Sequence, residues 1–208
     1  MTDLYGSSIL KIEQQSSQLE YQIADAGDRA IAVAEQVSGP KPRKGLRALL
    51  GSGLKDARVV VQVSGADSGP DKPPLFYVDH QTGAPVAIVG ADGALVGRYV
   101  HQPVDEMHQM AAARLTGRTP AMTHRLVDAH DRPVCEIAWT LRPGGGEYRA
   151  WAPVACDFTT LDGAHIAHVD VHAAAFKDRY DLQLMFQLNE PLRTLVIAAP
   201  LAYDLTRS

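Results

Sequence analysis

The chain has 208 residues, of which 46% are hydrophobic and 21% are charged, and its formal net charge is −4. This composition is typical of a folded globular protein and excludes a disordered chain. The two cysteines, Cys135 and Cys156, are too few for a disulfide scaffold and lack metal-ligand spacing, so we expect buried free thiols in a reducing cytoplasm. The N-terminal residues "MTDLYGSSILKIEQQ" lack the basic and apolar regions of a secretory signal.

Five segments along the chain share one pattern, in which alternating residues lead through a tight polar turn into a strand rich in β-branched residues. Asp-Gly and Gly-Asp pairs tolerate positive φ and suit tight hairpins. We therefore expect Asp25, Asp92 and Asp162 to form turns rather than to catalyse. The irregular spacing favours one meandering sheet over a propeller or solenoid. The five segments are residues 21–37, 75–89, 90–100, 124–141 and 156–172.

Three further stretches alternate with the period of two that is typical of a strand with one buried face. "ARVVVQV" is predicted to bury one face and expose the other, and "CEIAWTL" and "YDLQLMFQL" follow the same rule. The predicted inward-facing residues are Ala57, Val59, Val61, Val63, Cys135, Ile137, Trp139, Leu141, Tyr180, Leu182, Leu184, Phe186 and Leu188.

The most apolar stretch is "PLRTLVIAAPLAYDL", which predicts a helix over about residues 190–205. Only ten uncharged residues separate Arg193 from Asp204; as a helix they cover about 15 Å, half of the ~30 Å hydrocarbon core of a bilayer. This helix has no polar face and cannot span a membrane, so protein must surround it. We expect one mainly β domain over residues 1–208, an antiparallel barrel closed around this helix. A second, short helix candidate is Val104–Leu115.

These features resemble the superfamily of tubby C-terminal domains, phospholipid scramblases and LURP-one-related proteins. The resemblance is carried by the hairpins followed by "PVAIV", "ALVGRYV" and "PVCEIAW", and above all by the terminal "LRTLVIAAPLAYDL". It extends from Ile9 to Leu205. It implies a barrel of about twelve strands around a central C-terminal hydrophobic helix, and a function at phospholipid head groups or a membrane surface.

The resemblance does not extend to the family's ligand sites. Animal scramblases carry an acidic calcium loop before the last helix, whereas "KDRYDLQLMFQLNE" presents Asp178, Asp181 and Glu190 in a strand-like alternation. The cysteine-rich and proline-rich segments of those proteins are missing, and no phosphoinositide-binding residue of tubby domains matches a position here. We therefore do not expect the calcium-driven lipid scrambling of those proteins.

The candidate lipid-binding segment is an insertion at about residues 39–55. Pro40–Lys55 contains five cations and no acid, so it carries +5 and the rest of the chain −9. A helical turn there would give an apolar edge beside the cations, which suits an anionic lipid surface. A solvated loop between two strands is the alternative. The segment has no aromatic residue for base stacking, so no nucleic-acid partner is expected. The candidate residues are Lys41, Arg43, Lys44, Arg47, Leu49 and Leu50.

A weaker candidate is a metal site in "HIAHVDVH". In a regular strand His168, Asp170 and His172 share one face and His165 lies opposite. His168 and His172 would be about 13 Å apart, too far to share one ion, so a metal would need ligands from an adjacent strand, and the sequence identifies none. A solvated strand face is therefore the expected structure.

No reaction motif is present, so the sequence predicts a non-enzymatic protein without cofactors. The leading hypothesis is a cytoplasmic barrel, peripheral to the membrane, that contacts anionic phospholipid. The second is a structural barrel with a protein partner. A metal protein using the His168–His172 face is the third.

Overall fold

The computed structural model describes residues 3–16, 19–40, 58–66, 73–101, 122–143, 151–172 and 177–207. Within these ranges twelve strands precede one helix. The strands are β1 (Ile9–Ser16), β2 (Glu20–Ala24), β3 (Ala30–Ser38), β4 (Arg58–Gly65), β5 (Pro74–Gln81), β6 (Val86–Gly90), β7 (Leu95–His101), β8 (Met122–Asp128), β9 (Pro133–Pro143), β10 (Trp151–Thr160), β11 (His165–His172) and β12 (Arg179–Leu184). The helix is α1 (Leu192–Arg207).

The strands form a closed antiparallel barrel with a simple meander topology. Each strand pairs with its neighbours in sequence, and β1 closes the barrel by pairing with β12, with Leu10 opposite Leu182. Closure removes the unpaired edges that an open sheet of this size would expose. The predicted closed barrel around a C-terminal helix is therefore confirmed.

The barrel has two distinct ends. At the upper end the chain passes from β2 to β3, β4 to β5, β6 to β7, β8 to β9 and β10 to β11, and residues 3–8 and the connection from β12 to α1 lie there as well. At the lower end the chain passes from β1 to β2, β3 to β4, β5 to β6, β7 to β8, β9 to β10 and β11 to β12. The helix enters from the upper end, where Arg193 donates a hydrogen bond to the Ser7 carbonyl, and finishes at the lower end.

The helix fills the barrel. Every residue from Arg193 to Leu205 is buried, and α1 lies nearest to β5–β8. Gly97 in β7 leaves room for α1, because an added Cβ would lie 2.1 Å from the Val127 carbonyl oxygen and 3.0 Å from a Leu195 methyl group. Within the described residues no helix has the length and apolar character needed to cross a membrane.

Most of the predicted alternation is confirmed. Val59, Val61 and Val63 are buried in β4, and the four predicted residues of β9, the first three of β12 and Leu188 are buried as well. Ala57 lies outside the described residues. Phe186 is the exception, because β12 ends at Leu184 and the chain turns toward α1, which leaves this side chain 52% exposed. Cys135 and Cys156 are buried free thiols, as expected.

The turn aspartates have the predicted role. Asp25 accepts hydrogen bonds from the backbone amides of Gly27 and Arg29, and Asp92 accepts one from Ala94. Asp162 accepts a hydrogen bond from the Thr160 hydroxyl in the turn between β10 and β11. These contacts stabilise the turns because each carboxylate satisfies groups that no strand can pair.

Candidate functional site

A β-bulge in β11 creates the most chemically distinctive cluster on the barrel surface. His168 lies opposite Asp157 of β10, but the pairing then shifts, so that Ala167 lies opposite Phe158 and His165 opposite Thr159. Ile166 is the extra residue, and both it and Ala167 are buried. The bulge therefore turns His165 outward, onto the face that His168 occupies. The prediction that His165 lies on the opposite face is wrong for this reason.

Both histidines converge on one carboxylate oxygen. His165 Nε2 lies 3.1 Å and His168 Nδ1 2.7 Å from Oδ1 of Asp157. One candidate ligand atom from each of the three residues lies within 4.8 Å of the other two. The three side chains are partly exposed, at 46% for Asp157, 45% for His165 and 30% for His168. We call Asp157, His165 and His168 the outer cluster.

Asp170 lies next to the outer cluster and faces the second ring nitrogen of His168. His168 Nε2 lies 3.4 Å from Asp170 Oδ1, so each nitrogen of this ring faces a carboxylate. Partial burial by itself would lower the pKa of His168, but the hydrogen bonds and charges of Asp157 and Asp170 outweigh it and raise that pKa. This ring therefore has two electron-rich partners and an open side toward solvent.

His168, Asp170 and His172, which the sequence suggested as weak candidates for a metal site, do not form one site. His168, Asp170 and His172 do share the outer face, because Val169 and Val171 point inward. His172, however, lies 3.1 Å from Oδ2 of Asp181 in β12, which also accepts two hydrogen bonds from Arg179. The structure thus places His165, rather than His172, beside His168.

Asp157 and His165 were missed because their proximity depends on register. Counting outward from the Thr160–Ala164 turn in a regular hairpin would pair Asp157 with Ala167. The bulge moves Asp157 opposite His168 instead. The only sequence signal is the presence of Asp157 and two histidines on the two arms of one predicted hairpin.

A second histidine lies inside the barrel, near the lower end. His124 in β8 is only 3% exposed and stacks on Tyr99, with ring centroids 4.8 Å apart. The Trp139 indole donates a 2.9 Å hydrogen bond to His124 Nδ1, so Nε2 carries the proton and donates to His101 Nδ1, also at 2.9 Å. Burial, and secondarily the charge of His101, lowers the pKa of His124 to about 3. This imidazole is neutral at every physiological pH.

The last turn of α1 carries a buried carboxylate, Asp204, whose burial was not expected from the sequence pattern. Asp204 accepts hydrogen bonds from the hydroxyls of Tyr21 in β2 and Tyr180 in β12, the latter at 3.2 Å. Burial raises the pKa of Asp204, although the hydrogen bond from Tyr21 opposes the shift. The contacts join the helix to two strands of the barrel wall and have a structural role.

The connections at the two ends of the barrel differ in charge. At the upper end the described connections (residues 3–8, 25–29, 91–94, 129–132, 161–164 and 185–191) contain seven acids and two cations. Most residues that connect the strands at the lower end lie outside the described ranges; in the sequence these connecting segments contain nine cations and five acids, and residues 41–57 alone contain five of those cations and one of those acids. The described upper connections therefore carry a net charge of −5, whereas the segments of sequence that join the strands at the lower end carry +4.

The predicted lipid-binding residues lie outside the described residues. These are Lys41, Arg43, Lys44, Arg47, Leu49 and Leu50. The strands that this segment joins are described: β3 ends at Ser38 and β4 begins at Arg58, both at the lower end. The helix candidate Val104–Leu115 also falls outside the described ranges.

Comparison of the chain with protein-family models, with curated proteins and with solved structures found no match.

Proposed function

We propose that this protein is a non-enzymatic barrel that binds anionic phospholipid surfaces through its lower end. The observation that carries the proposal is the net negative charge of the described upper connections, set against the net positive charge, by sequence, of the segments that join the strands at the other end. An anionic membrane attracts a basic surface, with each nearby cation contributing on the order of 1 kcal/mol, and repels the acidic turns at the other end. The polarity therefore favours one orientation of the barrel axis on the membrane.

The filled interior supports a surface function. Barrels that bind small ligands hold them in a central cavity, but here α1 occupies the centre and its residues from Arg193 to Leu205 are buried. The resemblance to scramblase-like and tubby-like proteins favours the same location, because lipid head groups are recognised at a surface. Leu49 and Leu50 would add apolar insertion to the charge attraction.

The test is co-sedimentation of the full chain with vesicles of phosphatidylcholine, with or without phosphatidylserine. Binding is expected only to the phosphatidylserine vesicles, and it should fade as the Debye length falls from about 10 Å at 0.1 M salt to about 3 Å at 1 M. Replacing four cations of the basic segment by Gln should abolish binding with little change in thermal stability. These cations are Lys41, Arg43, Lys44 and Arg47.

A matched control removes the same charge from elsewhere on the barrel. Gln substitutions at four arginines of the described strands and upper turns should leave most of the binding intact. Those arginines are Arg29, Arg98, Arg125 and Arg132. A wild-type protein that ignores anionic vesicles at low salt contradicts the proposal, and so does an equal loss of binding in both quadruple variants.

A protein-interaction barrel is the second candidate function, and three exposed apolar side chains at the upper end favour it. Phe186 and Met185 lie between β12 and α1, and Leu161 lies in the turn between β10 and β11. Substituting Ser at Phe186 and Met185 should not change vesicle binding if the lower end binds the membrane. If these substitutions abolish vesicle binding, the assignment to the lower end is wrong.

A further inference from the structure

We infer that Asp157, His165 and His168 form a binding site for a divalent transition-metal ion, with Zn²⁺ as the representative ligand. This site lies on the outer wall near the upper end, so it is independent of the proposed membrane contact at the lower end. Its three donors come from two adjacent strands, β10 and β11.

The donor types select the class of ion. Two imidazole nitrogens and one carboxylate oxygen suit zinc and its neighbours in the first transition series, whereas calcium and magnesium prefer sites made entirely of oxygen. The two buried thiols take no part, because Cys135 and Cys156 point into the barrel and the cluster lies outside it. Soft, thiolate-selective ions are therefore not the expected ligands.

The distances are close to those of a coordinated ion. Tetrahedral zinc with bonds of about 2.0–2.1 Å holds its ligand atoms about 3.3 Å apart. In the outer cluster the two nitrogens lie 3.1 Å and 2.7 Å from Asp157 Oδ1, and all three ligand atoms lie within 4.8 Å of one another. Small rotations of these partly exposed side chains would make room for the ion. In the present structure the same atoms are linked by N–H to carboxylate hydrogen bonds, which a metal would replace.

The surroundings supply what a metal-binding histidine requires. A ligating imidazole commonly donates its other N–H to a carboxylate, which fixes the ring and makes it a stronger ligand. His168 has this arrangement, since Nδ1 faces the cluster and Nε2 faces Asp170. The backbone is equally well defined, because the bulge is held by the pairing of β11 with β10 on one side and β12 on the other. Three protein ligands leave a fourth position open to water.

The experiment measures zinc binding to the full chain, freed of metal by chelator dialysis and without an affinity tag that contains histidine. Competition with a chromophoric chelator should give one Zn²⁺ per chain. Removing a carboxylate that accepts a hydrogen bond from a zinc-ligating histidine weakens zinc binding by about 10- to 100-fold. We therefore expect Asp170→Asn to reduce affinity about tenfold and the double variant His165→Gln, His168→Gln to reduce it by about 100-fold or more.

The matched control is His172→Gln, which removes one exposed histidine from the same face of the same strand. It should leave the dissociation constant unchanged, because His172 contacts Asp181 and not the outer cluster. Zinc should also raise the melting temperature of the wild type and of this control, but not of the double variant, because the site exists only in the folded chain.

Cobalt provides an independent spectroscopic readout. Co²⁺ in place of zinc should give visible bands of a nitrogen- and oxygen-ligated ion without a thiolate charge-transfer band. A thiolate band would overturn the assignment. So would wild-type protein that binds no zinc at micromolar concentrations, a double variant with wild-type affinity, or an equal loss in His172→Gln.

Discussion

The two faces of the barrel wall each hold a cluster built around a histidine, and their environments are opposite. His168 on the outer face lies between Asp157 and Asp170, whose charges raise its pKa. His124 on the inner face lies among Tyr99, Trp139 and Tyr203, and burial lowers its pKa to about 3. The outer ring is available to protons and ions, whereas the inner ring is a neutral part of the core.

The comparison also separates two uses of polar groups. Inside the barrel the polar side chains of His124 and Asp204 form hydrogen bonds with their neighbours, which offset the cost of removing these groups from water. On the outer face solvent can replace any lost partner. Replacing a histidine by glutamine should therefore lower the free energy of unfolding much more on the inner face than on the outer face.

The largest effect is expected for Ile197→Asp in the middle of α1. Ile197 is fully buried, so the new carboxylate would be an unpaired charge in the core and should prevent folding. The measurement is the purified protein's solubility and thermal melt. Ile197→Val, which removes one methylene, should cost only about 1 kcal/mol. A soluble, cooperatively melting Ile197→Asp protein would contradict the burial of this helix.

A smaller loss of stability is expected when the pH is lowered, because His124 is buried in its neutral form. Its folded pKa of about 3 lies below the unfolded value of about 6.5, so below pH 6.5 the unfolded chain binds a proton that the folded chain does not. This histidine alone should therefore reduce the free energy of unfolding as pH falls, by at most about 1.4 kcal/mol per pH unit.

The contribution of His124 is isolated by a variant. His124→Gln should be less stable than the wild type at pH 7, by about 1–3 kcal/mol, because the hydrogen bonds to Trp139 and His101 are disturbed. The difference should shrink between pH 6.5 and 4, as measured by urea unfolding at several pH values. If the free energies of unfolding of the two proteins change with pH in parallel, then His124 titrates normally and its surroundings are open to water.

The smallest effect is expected on the outer face. Without metal, His165→Gln and His168→Gln should each change the free energy of unfolding by less than about 0.5 kcal/mol at neutral pH, because exposed ion pairs contribute little. Urea unfolding of the metal-free proteins provides the measurement. A loss as large as that of His124→Gln would mean that the outer cluster is needed for folding, and the contrast between the two faces would fail.

Much of this architecture could be predicted from local sequence. The five hairpins, the role of Asp25, Asp92 and Asp162 in turns, and the burial of α1 all follow from alternation, turn residues and helix length. These signals are local, since each depends on residues a few positions apart. The predicted helix over residues 190–205 differs from Leu192–Arg207 by only two residues at each end.

Only the tertiary structure decided which side chains meet. The bulge at Ile166 shifts β11 by one residue relative to β10, and a shift of one residue exchanges the faces of a strand, so His165 joins Asp157 and His168. The end of β12 at Leu184 exposes Phe186, against its alternation. Composition and periodicity determined the barrel and its helix. Register and closure decided which side chains meet on its surface, because both depend on contacts between residues that are distant in the sequence.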